Sequence, residues 1–324
     1  DASTAVAGTG ADYFAARVWG APAALALYAL CGALVGLGRS RTLLAVQLLL
    51  NGLNAALDVY LAGVLDLGAR GIGYGTAIAE WTTCVVAAAV VWRMLRARHR
   101  DGEPFLPWAR IGDRARLRRT LAANGDIMVR TLCLLAGFGW FARQGAALGD
   151  ATLAANHLLL QLVSFSAFFL DGFAYVAEAQ VGHAVGARDR ARFRRAVRLS
   201  SELAVATAAM LAAILWLGGG AMVRLLTALP DVAAVALAHL PWVALYVLLS
   251  VAAFQLDGVF IGATRTRQMR NAALLSVAVF LLAAWPAAAW WGNHGLWAAF
   301  VVFVVARALA LVPYYRGLDS ELGA

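Results

Sequence analysis

The chain has 324 residues, of which 62% are hydrophobic and 14% charged, with a formal net charge of +9. Soluble domains carry about 45–50% apolar and about 25% charged residues, so the composition excludes an ordinary soluble enzyme and indicates a polytopic membrane protein. Every basic residue is arginine, so the positions of the arginines decide whether the positive charge serves topology or a polyanionic partner.

The first residue is Asp, and no charged-then-apolar leader pattern follows it. The stretch to Gly20 reads as a loop entering a helix, and the expectation is a fragment whose upstream part is missing. Runs of about 20 mostly apolar residues span hydrocarbon. Nine are expected here: Arg17–Leu37, Thr42–Leu65, Gly71–Leu95, Ile127–Leu148, Ala154–Val181, Val197–Leu217, Val235–Ile261, Asn271–Trp291 and Leu296–Tyr315. The fold class is therefore all-α, a bundle of transmembrane helices. Between the third and fourth spans, Arg96–Arg119 is the one long polar stretch, read as a linker with a short amphipathic helix on the membrane surface. The resulting domains are residues 1–95, a linker at 96–123, a second bundle at 124–316 and a tail at 317–324.

Alternate loops collect Arg39 and Arg41, the run Arg93–Arg119, the run Arg188–Arg198, then Arg265, Arg267, Arg270 and Arg316, which is 21 of the 27 arginines. Arg17, Arg70, Arg143 and Arg224 fall on the other side, while Arg130 and Arg307 lie inside spans. Arginine collects on the cytoplasmic side, so the C-terminus is expected there. Topology and anionic lipid account for the charge, and no nucleic-acid partner is expected. Cys31, Cys84 and Cys133 lie in apolar runs without metal-type spacing and read as small core residues. The histidines (His99, His157, His183, His239, His294) show no ligand spacing. Pro241 and Pro286 inside spans mark kinks.

A weak internal repeat is present. Gly38-Arg39-Ser40-Arg41 resembles Thr264-Arg265-Thr266-Arg267, and Gly68-Ala69-Arg70-Gly71-Ile72 resembles Gly292-Asn293-His294-Gly295-Leu296. The first three spans thus match the last three in the same orientation, which suggests two bundles with a site between them.

Several polar residues stand inside apolar spans. Gln47, Asn51, Asn54 and Asp58 are spaced four, three and four residues apart, so on a helix they form one stripe. A carboxylate at that depth costs several kcal/mol unless it meets a partner or water, about 2.5–3.5 kcal/mol on insertion scales. Asp58 with Asn54 suits a proton or Na⁺, because a hard cation takes oxygen ligands and a proton site needs a buried carboxylate. Thr76 on the next helix is placed to complete the site, with Gly71, Gly73 and Gly75 allowing close approach; its bland alternative is a backbone-bonded threonine. Glu80 reads as an interfacial residue or the partner of an arginine. A second stripe on the fifth span contains Gln161, Ser164, Phe168, Asp171, Tyr175 and Glu178, and the seventh span carries Tyr246, Ser250, Phe254 and Asp257. Carboxylates beside aromatic faces attract a lipophilic cation, so Asp171, Tyr175, Glu178, Tyr246, Phe254, Asp257 and Gln47 are candidates to line a substrate cavity. Asp126 and Arg130, four apart, read as a local ion pair. Arg307 requires a carboxylate that the sequence does not identify.

Three stretches resemble the multidrug and toxic compound extrusion (MATE) family, in the branch named for DNA-damage-inducible protein F. Val181–Asp189 is similar to its VGQxxGAxD loop, with His183 in place of the usual Gln. Asp257–Arg265 with Met269-Arg270-Asn271 is similar to its DGxxIGATR…MRN run. Asn51 to Asp58 with Thr76 is similar to its N-lobe cation cluster. The resemblance implies two six-helix lobes, of which this chain holds helices four to twelve. It also implies a multi-pass protein of the bacterial inner membrane that is not an enzyme and has no cofactor. On the same resemblance it exports small organic compounds by H⁺ or Na⁺ antiport, as a monomer, with Asn54, Asp58 and Thr76 as cation site. The family's first-helix aspartate is absent from this chain. A lipid or polysaccharide flippase of the wider superfamily is the nearer alternative, but only Arg130 and Arg307 are available inside these helices to make a cationic cavity. An intramembrane enzyme is the remoter one, since the acids are scattered singly across helices.

Overall fold

The structure is a computed structural model in which residues 4–97 and 112–322 are described. Every regular element among them is helical. α1 (Thr4–Arg17) passes through a 3₁₀ turn (Val18–Gly20) into α2 (Ala21–Gly36), whose Pro22 occupies the first turn, where no helical N–H is needed. The expected loop at the N-terminus is therefore a helix from Thr4 onward. α3 (Ser40–Asp58) continues as a π-helical turn, Val59–Val64, and α4 covers Gly68–Ala97. The second half comprises α5 (Arg114–Ala147), α6 (Asp150–Gly186), α7 (Arg190–Leu226), α8 (Pro230–Gly262) and α9 (Thr266–Glu321). Most of the expected surface helix at Arg96–Arg119 lies outside the described residues. Its last part, from Arg114, is the start of α5, capped by the Asp113 carboxylate accepting from the Ala115 amide at 2.8 Å.

Eight helical stretches among the described residues are long and apolar enough to cross a membrane. The expected eighth and ninth spans are joined in the 56-residue α9, which Gly292 interrupts with non-helical backbone (φ 57°, ψ −135°). Large apolar side chains stand at the surface, among them Leu217, Leu225, Trp290 and Leu282, each more than three-quarters exposed. Such a surface suits hydrocarbon rather than water.

Two compact units result, Asp1–Ile111 and Gly112–Ala324. The first packs Leu27, Leu34 and Val46 against Ala87 and Val91 of α4. The second has a larger aromatic core. Phe141 meets Trp297 edge-on at 5.0 Å, and Tyr246 stacks on Phe300 at 4.8 Å.

The internal repeat extends to backbone geometry. Gly38 and Thr264 both sit in the left-handed region (φ 67° and 56°), and the next residues, Arg39 and Arg265, share one conformation (φ −96° for both, ψ 53° and 52°). Gly68 and Gly292 are left-handed as well (φ 52° and 57°). A Cβ on Gly71 would fall 2.8 Å from the backbone at Leu61 and Ala62, and one on Gly295 would overlap the carbonyl of Ala287. Each corner thus places a positive-φ residue, three of the four glycines, at the same place.

Two glycines of the Asp257-Gly258-Val259-Phe260-Ile261-Gly262 run set how closely α8 approaches α6. A Cβ on Gly258 would overlap the Ala174 carbonyl oxygen, and one on Gly262 would overlap that of Glu178. Four residues apart, they form a small-residue face on which two helices approach to backbone contact. Gly262→Leu is therefore expected to destabilise the second unit by about 1–3 kcal/mol through overpacking. Gly172→Ala, at a helical position with open space around it, should not lower the thermal midpoint in detergent.

Candidate functional site

In the first unit the polar stripe of α3 divides. Asn54 Nδ2 donates to Thr76 Oγ1 at 3.0 Å, and Thr76 donates to the Ile72 carbonyl at 3.0 Å. Thr76 is therefore backbone-bonded and also joined to the cluster. Asp58 lies one turn beyond Asn54 and is half-buried. Its Oδ1 lies so close to Gly75 that a Cβ there would overlap it, and this buried oxygen accepts no hydrogen bond from the protein. Gly71, Gly73 and Gly75 alternate along α4 and are all buried. Gly71 and Gly75 admit the α3 side, while a Cβ on Gly73 would fall 2.7 Å from Ala16 Cβ of α1. Immediately after Asp58 the chain widens into the π turn, a local insertion that recurs at functional positions. Two stripe members lie apart from this cluster. Gln47 donates to Cys31 Sγ at 3.7 Å, and Asn51 is exposed.

Glu80, also on α4, is held by Arg17 in a two-pronged pair, with Nη1 to Oε2 at 2.8 Å and Nη2 to Oε1 at 2.6 Å. Paired in this way the carboxylate can lie buried without an unmatched charge.

In the second unit Asp257 is buried and ion-paired through Oδ2 with Arg130 of α5, and Nη2 of Arg307 on α9 stands 3.8 Å from the same oxygen. The Arg307 guanidinium also lies over the Phe254 ring at 5.9 Å. Arg307 thus finds its carboxylate. Asp171 on α6 is half-buried and within electrostatic reach of Asp257, Arg130 and Arg307. Glu178, two turns further, is also half-buried, and Tyr175 is exposed.

One expectation is corrected here. Asp126 and Arg130 do not pair with each other. Asp126 accepts from Arg270 Nη1 at 2.7 Å and Thr266 Oγ1 at 3.1 Å, while Arg130 turns to Asp257. Buried charges take the partner that satisfies both sides, and each found it on another helix. Tyr246 is buried and stacked on Phe300 in the aromatic core. Ser250 donates back to the Val247 carbonyl within its own helix. Among the histidines, His239 and His294 stack at 4.1 Å, with Trp242 Nε1 donating to His294 Nδ1 at 3.0 Å. Their contact crosses from α8 to α9, where sequence spacing gives no signal. The largest cavity described, about 920 Å³, is away from both clusters, lined by Val185, Arg188, Thr264, Arg265, Leu318 and Glu321.

Comparison with known proteins places this geometry. Residues 144–286 match the MatE family model. DNA damage-inducible protein F of Escherichia coli is 36% identical over 297 residues, covering 91% of this chain and 63% of its own length. A probable multidrug resistance protein NorM of Xanthomonas campestris pv. campestris is 29% identical over 338 residues, covering 97% of this chain and 69% of its own. The chain therefore spans less than two thirds of the E. coli relative. Among solved structures, a MATE protein in the straight conformation superposes with a TM-score of 0.86 at 17% identity, over 96% of this chain and 70% of that one. The Vibrio cholerae MATE transporter VcmN in the bent form gives 0.83 at 19% identity, over 95% and 69%. At those identities the likeness is one of fold.

The charge network predicts a stability effect. Asp257→Asn leaves Arg130 and Arg307 buried without their carboxylate, at an expected cost of about 3–5 kcal/mol. Adding Arg130→Met to Asp257→Asn should recover part of it. Unfolding of the purified single and double variants measures both.

Proposed function

We propose that this chain is a MATE-family transporter that exports lipophilic organic cations and other toxic compounds across the bacterial inner membrane in exchange for protons, with Asp58 as the proton-carrying group. The observation that carries the reading is the buried, unpartnered Oδ1 of Asp58. Glu80 and Asp257 have guanidinium partners and their charge is matched. Asp58 instead has the Asn54 amide beside it and Gly75 against Oδ1, with no guanidinium among its described contacts, so its charge is held at a cost that protonation removes.

The same contacts favour H⁺ over Na⁺. Thr76 already donates to Ile72 and accepts from Asn54, and Oδ1 packs into the space left by the missing Cβ of Gly75. A metal ion needs several oxygen ligands and the space to stand between them, whereas a proton needs one lone pair. In the proposed alternating-access cycle the protonated and ionised forms of Asp58 favour different states of the protein, and substrate binds the ionised one more tightly. On α6, Asp171 and Glu178 are half-buried and outside any described ion pair. They are the carboxylates available to a cationic substrate. The flippase alternative loses support, because both intramembrane arginines are committed to Asp257.

The test expresses the full open reading frame, reconstitutes it, and follows efflux of a fluorescent organic cation. Wild type should respond to a pH gradient and not to a Na⁺ gradient. Asp58→Asn should fall to the rate of protein-free vesicles, and Asp58→Glu should retain part of the activity. Full transport by Asp58→Asn would end the proposal.

A further inference from the structure

Away from both carboxylate clusters, a groove of about 450 Å³ lies between α6 and α7. Phe173, Val176, Leu199 and Leu203 form its wall, and Gln180, Arg192 and Arg195 lie toward one end. Val176 is 53% exposed and Leu203 60%. Arg192, Arg195, Leu199 and Leu203 follow at steps of three and four, so one face of α7 changes from cationic to apolar along its length. From Arg195 to Leu203 that face descends about 12 Å at 1.5 Å per residue, most of one hydrocarbon leaflet.

The arginines at the start of α7 are not equivalent. Arg190 and Arg194 share Asp319, with Nη2 to Oδ2 distances of 2.8 and 2.6 Å, and Arg198 stands 3.7 Å from Glu202. Arg192 and Arg195, the two that line the groove, have no acidic partner in the described contacts. The Asp189 carboxylate is close, but it accepts the backbone amide of Arg192 at 2.9 Å as the helix cap. Two unmatched guanidiniums at one end of an apolar trough complement an amphiphile with an anionic head. An apolar peptide leaves the arginines unmatched, and a free anion leaves the trough uncovered.

We propose that this groove binds one anionic phospholipid, with its headgroup phosphate on Arg192 and Arg195 and an acyl chain along Phe173, Val176, Leu199 and Leu203. Arginine pairs phosphate with directed donors, and anionic lipids concentrate on the arginine-rich face of a membrane protein. The inference is independent of the transport mechanism proposed above.

The experiment compares phosphatidylglycerol with phosphatidylcholine in detergent-solubilised protein, reading the thermal midpoint and lipid retention by native mass spectrometry. Phosphatidylglycerol should raise the midpoint of wild type and leave one retained lipid. Arg192→Gln with Arg195→Gln should lose both effects relative to its own phosphatidylcholine baseline. The Lys pair at the same positions should keep them in part, which separates headgroup binding from misfolding. Leu203→Trp, which fills the trough without changing charge, should also lose the retained lipid. Arg114→Gln with Arg118→Gln, a charge-matched change on exposed α5 positions, should behave as wild type. The proposal is overturned if the glutamine pair at 192 and 195 still retains the lipid, or if the α5 pair loses it equally. It is also overturned if glycerol phosphate alone reproduces the shift, or if an organic cation substrate displaces the lipid competitively.

Discussion

A carboxylate inside hydrocarbon must be matched by a cation, by hydrogen-bond donors or by a proton, and the way each acid is matched sorts the interior of this protein. Glu80 has a two-pronged Arg17. Asp257 has Arg130 and Arg307, and Asp126 has Arg270 and Thr266. These pairs join helices distant in sequence and hold each unit together. Asp58 lacks such a match at one oxygen, and the local backbone is shaped around it, with Gly75 opposite and the π turn following. The interior acids thus divide by whether an arginine reaches them.

The two repeated segments differ at the positions of the Asp58 cluster. From the left-handed Gly38, Asp58 is 20 residues on; the residue 20 past the left-handed Thr264 is Ala284, fully buried. Thr76 is eight past Gly68, and eight past Gly292 is Phe300, at the centre of the aromatic core. One helical frame thus carries a polar side-chain cluster in one unit and solid packing in the other. The spacing also differs. Ser40 to Gly68 covers 28 residues, whereas Thr266 to Gly292 covers 26. The π turn at Val59–Val64 takes up extra length in the longer segment, directly beside the carboxylate.

Much of this was legible in the sequence, for identifiable reasons. Span length, arginine asymmetry and the corner motifs are local signals, and they located the helices, the repeat and the stripe containing Asp58. Periodicity assigns a residue to a face but not to a neighbour. Hence Gln47 and Asn51 shared the stripe without joining the cluster, and Tyr246 shared a face with Asp257 while belonging to the core. Asp126 and Arg130 had ideal spacing for a surface pair, yet in a buried setting each gained more from a partner on another helix. The π turn left no compositional trace, because Val-Tyr-Leu-Ala-Gly-Val suits an α-helix equally well. Gly292 was visible as a corner, but the near-continuous α9 was not, since one left-handed residue re-aims a helix without lengthening the gap.

The central claim is that Asp58 exchanges a proton when substrate binds. Difference infrared spectroscopy on the reconstituted protein, following the carboxylic-acid C=O stretch as an organic cation is added at constant pH, tests this most directly. If Asp58 carries the proton, a protonated-carboxyl band is lost on substrate addition in wild type, this substrate-dependent loss is missing in Asp58→Asn, and it is retained when Arg17→Gln and Glu80→Gln together remove the neighbouring ion pair. A band that still falls on substrate addition in Asp58→Asn would contradict it and move the exchanging proton to another acid.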